Sequence, residues 1–227
     1  MIELISPRKI AKSPYRQKLL EAGIKGGWNY ALDHAWLFEQ IDQYVKANDE
    51  KWLITLDVGC GRSMLHTFLE DELHMGIIGV DRIFGKCPFK QRDKRMDLCI
   101  DFSNDNKFFN GTADIVYWCS SIEHNTIPDM KKCLEVSMEA LKPGGLFLAT
   151  FSYSPTTYYF EASQATNLCK EDAQEIFQEQ WQGPTDYYEM AEQYKENHCD
   201  LFDRYKKRYE KEEIDFIVGA VKKIKQS

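Results

Sequence analysis

This sequence predicts an α/β fold with a mainly parallel sheet and helices on both faces, and three observations predict it. Short apolar runs suited to strands buried on both faces alternate four or five times with longer segments of helical periodicity. The first such run, residues 53–63 (LITLDVGCGRS), ends in an acid followed by two glycines. Two later runs, residues 77–81 (IIGVD) and 96–101 (MDLCID), again finish on an acid.

Composition sets the outer limits. At 227 residues and 43% hydrophobic, the chain is long enough to bury a full core, and one domain with an elaboration is expected. The seven cysteines are odd in number, widely spaced and without a C-x-x-C pair, so they read as reduced core thiols of a cytoplasmic protein. Residues 1–8 (MIELISPR) lack a signal-peptide apolar region, and no apolar run approaches the roughly 20 residues of a membrane helix. A soluble protein with no membrane partner is therefore expected. The net charge of −7 disfavours nucleic acid as a general partner. A local basic patch, for example Lys86, Lys90, Arg92, Lys94 and Arg95, would run against that reading.

Taken in order, the first 50 residues read as helical. Ser13 and Pro14 suit a helix start, and Gly26-Gly27 a break. A second helix is expected over residues 30–48, where Leu32, Trp36, Leu37, Ile41 and Tyr44 recur at helical spacing and would cover one side of the sheet. The sharper alternative makes Trp28, Asn29 and Tyr30, next to the glycine pair, a lid over a ligand. Residues 53–58 form the first buried strand. Gly59 and Gly61 permit backbone angles that side chains forbid, so the turn can press its backbone against a ligand. The following helix, over residues 63–73, aims free N–H groups and the positive end of its dipole at the same place. Met64 stands where the dinucleotide fingerprint needs its third glycine, which disfavours nicotinamide and flavin cofactors. Asp81 lies 20 residues beyond Gly61, about the interval at which a doubly wound sheet delivers a carboxylate to a ribose. An ordinary helix cap is the plainer role for such an acid.

The Asp-x-Gly-x-Gly order of Asp57, Gly59 and Gly61 resembles motif I of the class I S-adenosylmethionine-dependent methyltransferases, with Ser63 where many members carry another glycine. Residues 113–125 (ADIVYWCSSIEHN) resemble the family's motif IV and the LEH segment after it, and residues 141–151 (LKPGGLFLATF) its LKPGG turn and fifth strand. The resemblance covers about residues 50–152. It implies a Rossmann-like class I methyltransferase sheet, mostly parallel with an antiparallel C-terminal strand, for which residues 215–221 (DFIVGAV) are the candidate. It also implies S-adenosylmethionine as cofactor and S-adenosylhomocysteine as product. Carried over residue by residue, it assigns Gly59 and Gly61 to the cradle and Asp57 to holding the turn or the ammonium group. Asp81 would hold the ribose, Asp101 the adenine amine, and Phe102 the adenine ring. Asp97 and Asp105 crowd the same strand tip, so the choice of Asp101 there stays open. Ser120 would face the reactive end. His124 is the candidate general base, since imidazole can take a proton from an attacking hydroxyl near neutral pH; orienting its loop is the alternative.

Beyond residue 151 the pattern weakens. Helices are expected over residues 170–181 and, after the Gly183-Pro184 break, over a long charged stretch from 185 to 213. Tyr153, Tyr158 and Tyr159, directly after the fifth strand, and Tyr30 are the candidate substrate-binding residues, because tyrosine offers a flat apolar face with a hydroxyl at its tip. Tyr187, Tyr194, Tyr205 and Tyr209 suit a pocket wall, ordinary packing or a homodimer surface equally. The expected organisation is a single domain over 1–227: a helical cap (1–50), a cofactor-binding core (50–152), an aromatic-rich helical insertion (153–213) and a last strand (214–225). The expected function is methyl transfer to a small polar metabolite such as a sugar or nucleotide-linked sugar, on oxygen rather than nitrogen. No His, Asp or Glu cluster has metal-ligand spacing, so no metal is expected. The rival readings are an RNA or protein methyltransferase and a non-catalytic scaffold of the same fold.

Overall fold

The computed structural model describes residues 1–25, 29–48, 52–61, 64–82, 96–99, 101–102, 109–183 and 186–226. Trp28, Gly26, Gly27, Ser63, Asp105 and the basic patch from Lys86 to Arg95 lie outside the described residues.

Strands β2 (Ile54–Val58), β3 (Gly76–Asp81), β4 (Met96–Cys99), β5 (Ala113–Trp118) and β6 (Leu141–Tyr153) run parallel, joined by helices α4 (Met64–Leu73) between β2 and β3 and α5 (Ile127–Ala140) between β5 and β6. With β1 (Ile2–Leu4) and β9 (Ile217–Ile224) they make one seven-stranded sheet in the order β1-β9-β6-β5-β2-β3-β4. Leu56, Val80, Ile115, Val116 and Leu148 are fully buried, as continuous apolar strands covered on both faces should be. Helix α3 (Tyr30–Ala47) packs against α4 and β6, and α5 packs against β5, β6 and α6 (Lys170–Phe177).

The chain leaves β2 in one direction for β3 and β4, then crosses back to β5 on the other side of β2. This reversal places a crevice at the carboxyl ends of β2 and β5, where open α/β sheets bind ligands. Asp114, the acid entering β5, is structural: it accepts from the backbone N–H of Ile54 at 2.9 Å and pairs with Lys142 at 2.8 Å, tying the starts of β2, β5 and β6 together.

Three expectations are corrected. The N-terminal segment is not all helical, because β1 pairs antiparallel with β9 and completes the sheet edge. Its outer side is covered in turn, since Ile2 exchanges backbone hydrogen bonds with Gln180 and Gln182. Its residues lie 215–219 positions from their partners, from Leu4↔Gly219 to Ile2↔Val221, so no local pattern could reveal the pairing. Secondly, the helix expected over residues 170–181 ends at Phe177, capped by Gln178 in the left-handed region. Thirdly, the long helix expected over residues 185–213 is two, α7 (Tyr187–Lys195) and α8 (Leu201–Tyr209), separated by Asn197, Cys199 and Asp200 with positive φ. Tyr194 and Tyr205 are both fully buried, the Tyr194 hydroxyl oxygen accepting from the Val218 N–H at 2.9 Å. Residues 153–213 also hold a separate hairpin, β7 (Tyr158–Phe160) with β8 (Ala165–Asn167).

Candidate active site

One cavity of about 780 Å³ opens at the carboxyl ends of β2, β3 and β5. It lies within the roughly 300–1,000 Å³ of small-molecule sites. Its floor is the glycine turn. Gly59 (φ +70°) and Gly61 (φ +45°) adopt left-handed backbone angles. The turn is tied to the tip of β3, because Gly59 N–H donates to the Val80 carbonyl at 2.7 Å and Gly61 N–H to the Asp81 carboxylate at 2.9 Å. A Cβ on Gly59 would lie 2.5 Å from Cβ of Ser121, whose hydroxyl donates to the Val58 carbonyl at 3.0 Å. Turn and β5 loop are therefore held in van der Waals contact, and only glycine fits between them.

The cavity wall includes Asp57, Gly59, Gly61, Asp81, Asp101, Phe102, Ser120, His124, Tyr30 and Tyr159 of the sequence-derived candidates. Phe102 is buried and meets Trp118 and Phe109 edge-on or tilted, with ring centres 6.0 and 6.2 Å away. Asp57 is buried beneath the turn, 3.6 Å from Nδ1 of the equally buried His66, with the Tyr117 hydroxyl nearby. Two candidates do not reach the cavity. Tyr153 packs on Trp181 and Tyr187, and Tyr158 spends its hydroxyl on the Asp215 carbonyl at 3.1 Å. They serve packing, because β6 runs on to Tyr153 and buries it as a strand residue.

His124 ends a 3₁₀ turn (Ile122–His124) after β5. Its Nδ1 is 2.8 Å from the Gln164 carbonyl in the β7–β8 turn. A carbonyl only accepts, so Nδ1 carries a proton, and in the neutral ring the lone pair is on Nε2, on a ring that lines the cavity.

Residues 56–149 match a family model described as a methyltransferase domain. Over these residues the chain is similar to methyltransferase domains. Among solved structures, phosphoethanolamine N-methyltransferase 2 of Haemonchus contortus, in complex with S-adenosyl-L-methionine, superposes with a TM-score of 0.57 at 17% identity, over 82% of this chain and 53% of that one. The chain thus spans about half the length of that enzyme. The 1,6-didemethyltoxoflavin-N1-methyltransferase of Burkholderia thailandensis gives 0.54 at 11% identity, over 84% and 78%. The [4+2]-cyclase SpnF gives 0.57 at 16% identity, over 88% and 83%. At these identities the likeness is one of fold. No curated protein matches the chain.

The cavity's surroundings also involve Asp33, His34 and Glu123, which the sequence did not single out. Asp33, one turn into α3, is completely buried and accepts from the Ser120 hydroxyl at 2.6 Å. Asn29 donates to both Asp33 (3.2 Å) and Ser120 (2.9 Å), so the start of α3 is fastened to the β5 loop. Ser120 itself has φ +44°, and its N–H donates to the Thr150 hydroxyl at 3.0 Å. Glu123 is buried beside this cluster, and His34 lines the cavity stacked on Tyr30 at 5.5 Å. The available signal was an Asp-His pair interrupting the apolar stripe of α3.

Burial governs the charges here. It pushes the Asp33 carboxyl well above the usual carboxylate range, with the Ser120 hydrogen bond opposing and Glu123 adding to the shift. It pushes Glu123 up to about 8 and His34 down to about 4. Between its ordinary 4.5 and about 8, Glu123 keeps in the native state a proton that the unfolded chain releases, so this contribution to stability is lost as pH rises. His34 acts oppositely: below its ordinary 6.5 the unfolded chain gains a proton that the native state refuses, so stability is lost as pH falls. The two oppose each other in mild acid, and above pH 6.5 the acids act alone. Urea unfolding should show stability declining from pH 6.5 to 8, by up to roughly 1.4 kcal/mol per pH unit from Glu123. Glu123→Gln should flatten that decline; equal slopes in both proteins would contradict the assignment.

Proposed function

We propose that the chain methylates a hydroxyl of a small polar metabolite from S-adenosylmethionine, with His124 as general base and without a metal ion. The cavity fits such a cofactor: the glycine cradle closes to any Cβ at Gly59, Asp81 stands at the ribose position, and Phe102 offers a buried aromatic face. S-adenosylmethionine bound there supplies an electrophilic methyl carbon on its sulfonium. Gly59 and Gly61 would receive its methionine end, Asp57 would steady the turn or the ammonium group, and Asp101 would meet the adenine amine. Ser120, held by Asp33 and Asn29, stands at the reactive end.

The single observation that carries the oxygen reading is the Nδ1 contact of His124 with the Gln164 carbonyl. It leaves Nε2 free to take the proton of an attacking hydroxyl, whereas a neutral amine would need no base. Tyr30 and Tyr159 provide flat walls beside it. Among the described residues no group of three or more His, Cys, Asp or Glu is placed to hold a metal. Among the described residues no helix is long and apolar enough to cross a membrane. Enclosure of the acceptor in a cavity favours a small molecule over RNA or protein, and a cytoplasmic place suits the cysteine usage.

The test is thermal denaturation with S-adenosylhomocysteine. At about 100 times its dissociation constant the ligand should add roughly 2.7 kcal/mol. Asp81→Ala should weaken binding about tenfold or more, since it removes the ribose partner and releases the Gly61 N–H. No shift at saturation, with Asp81→Ala behaving like wild type, would sink the cofactor reading. Labelled methyl transfer to a metabolite panel then separates an enzyme from a scaffold.

A further inference from the structure

The mouth of the cavity on the acceptor side carries positive charge in a chain whose net charge is −7. Lys25 lines the cavity, one residue beyond Ile24, which also lines it. Its backbone carbonyl accepts from the Arg204 guanidinium at 2.9 Å, which fastens α8 to this rim. One turn further along the same face of α8 comes Arg208. Its Nε donates to the Tyr209 hydroxyl at 3.1 Å, and its guanidinium lies 5.5 Å from that ring's centre. Its charge is felt at the hydroxyl of Tyr30, which lines the cavity. Tyr209 in turn packs on Phe160, with ring centres 5.3 Å apart, next to the cavity-lining Tyr159. Helix α8, the β7–β8 hairpin and the Lys25 loop thus converge on one rim.

Neither Lys25 nor Arg208 has an ion-pair partner among the described residues, although most other basic side chains around α8 do: Arg204 meets Asp200, Lys206 meets Glu212 and Lys211 meets Asp215. The acids that line the cavity, Asp57, Asp81 and Asp101, belong to β2, β3 and the segment after β4, at the cofactor end. The two at the acceptor end, Asp33 and Glu123, lie buried behind the wall and are held toward their neutral form by that burial. Among the described residues, the acceptor end therefore has Lys25 on the cavity wall, Arg208 beside it on α8, and no exposed carboxylate lining it.

We infer that the acceptor carries an anionic group, a carboxylate or a phosphate, which Lys25 and Arg208 receive at the rim while its hydroxyl reaches His124. This rests on the methyltransferase reading above and names the chemical class of its acceptor. Lysine supplies a compact point charge and arginine a planar fork, a combination suited to an oxyanion. Tyr30, stacked on His34, makes the flat wall between rim and base.

The test uses the full chain saturated with S-adenosylhomocysteine, titrated calorimetrically with glycerol, glycerate and glycerol 3-phosphate. At least one anion should bind at tens of millimolar where glycerol does not, and the stronger of the two identifies carboxylate or phosphate. Lys25→Met and Arg208→Met should each weaken that binding about tenfold, as loss of one charge-assisted contact would, and Lys25→Arg should restore most of it. Added salt should weaken it further. Both side chains are exposed, so the variants should fold. Glycerol binding as well as the anions, no anion binding, or Met variants within twofold of wild type would each overturn the inference. Failure to bind S-adenosylhomocysteine would instead overturn the cofactor reading and is read separately in the first titration.

Discussion

Gly59→Ala is expected to abolish useful binding of S-adenosylhomocysteine, with affinity falling about a hundredfold or more, close to 2.7 kcal/mol. Two costs combine at this position. An alanine at φ +70° pays the left-handed penalty of roughly 1–2 kcal/mol. Its Cβ would also sit 2.5 Å from Cβ and 2.6 Å from the hydroxyl of Ser121. Relief requires Ser121 to retreat and give up its bond to the Val58 carbonyl, a loss of about 1 kcal/mol, or the turn to move into the cavity. Either movement displaces the N–H groups of the cradle. The melting temperature should fall as well, by roughly 2–4 °C for each kcal/mol in a chain of this size. Gly61→Ala is the control. Its φ is +45°, but the nearest atom to its Cβ is the Gly59 carbonyl oxygen at 4.0 Å, so only backbone strain applies and the loss should be much smaller. Isothermal titration of both variants checks the contrast; Gly59→Ala binding within threefold of wild type would refute the role of the close approach.

His124→Ala should lower kcat by about 10²–10⁴ while leaving S-adenosylhomocysteine affinity within a few-fold of wild type. The side chain is exposed at the cavity wall and makes one hydrogen bond, to the Gln164 carbonyl, so its removal should cost little stability. The measurement is labelled methyl transfer to an acceptor from the metabolite panel, at saturating cofactor. Activity near wild type removes the base role and leaves His124 as the clasp between the β5 loop and the β7–β8 turn. A collapse of cofactor binding together with activity would make the residue a cofactor contact instead.

Local signals account for much of what was legible in the sequence. Helix α3 was expected at residues 30–48 and spans Tyr30–Ala47. The acids Asp57 and Asp81 stand at or next to strand ends because a buried parallel strand becomes polar where it emerges at the sheet edge. The pairing of glycines with an acid placed a turn at residues 59–61, and the structure puts it on the cavity floor. Asp33, His34 and Glu123 escaped because burial and partner, not spacing, give a polar residue its role, and Asp33 meets Ser120 only across 87 residues of sequence. Tyr153 and Tyr158 were placed near the site by their position after the fifth strand, yet the alternation of side chains and the demand of the core turned them away.

The sequence by itself determined the α/β order, the glycine turn and the acids at its flanks, because each depends on residues within one strand, one turn or one helix. The tertiary structure alone decided that the N-terminal strand closes the sheet against β9 and that the charged C-terminal stretch breaks into two helices. It alone brought Asp33 under Ser120, and Lys25 and Arg208 to one rim. These contacts join segments far apart in the chain, and their energy comes from burying apolar area and pairing polar groups that only the folded core brings together.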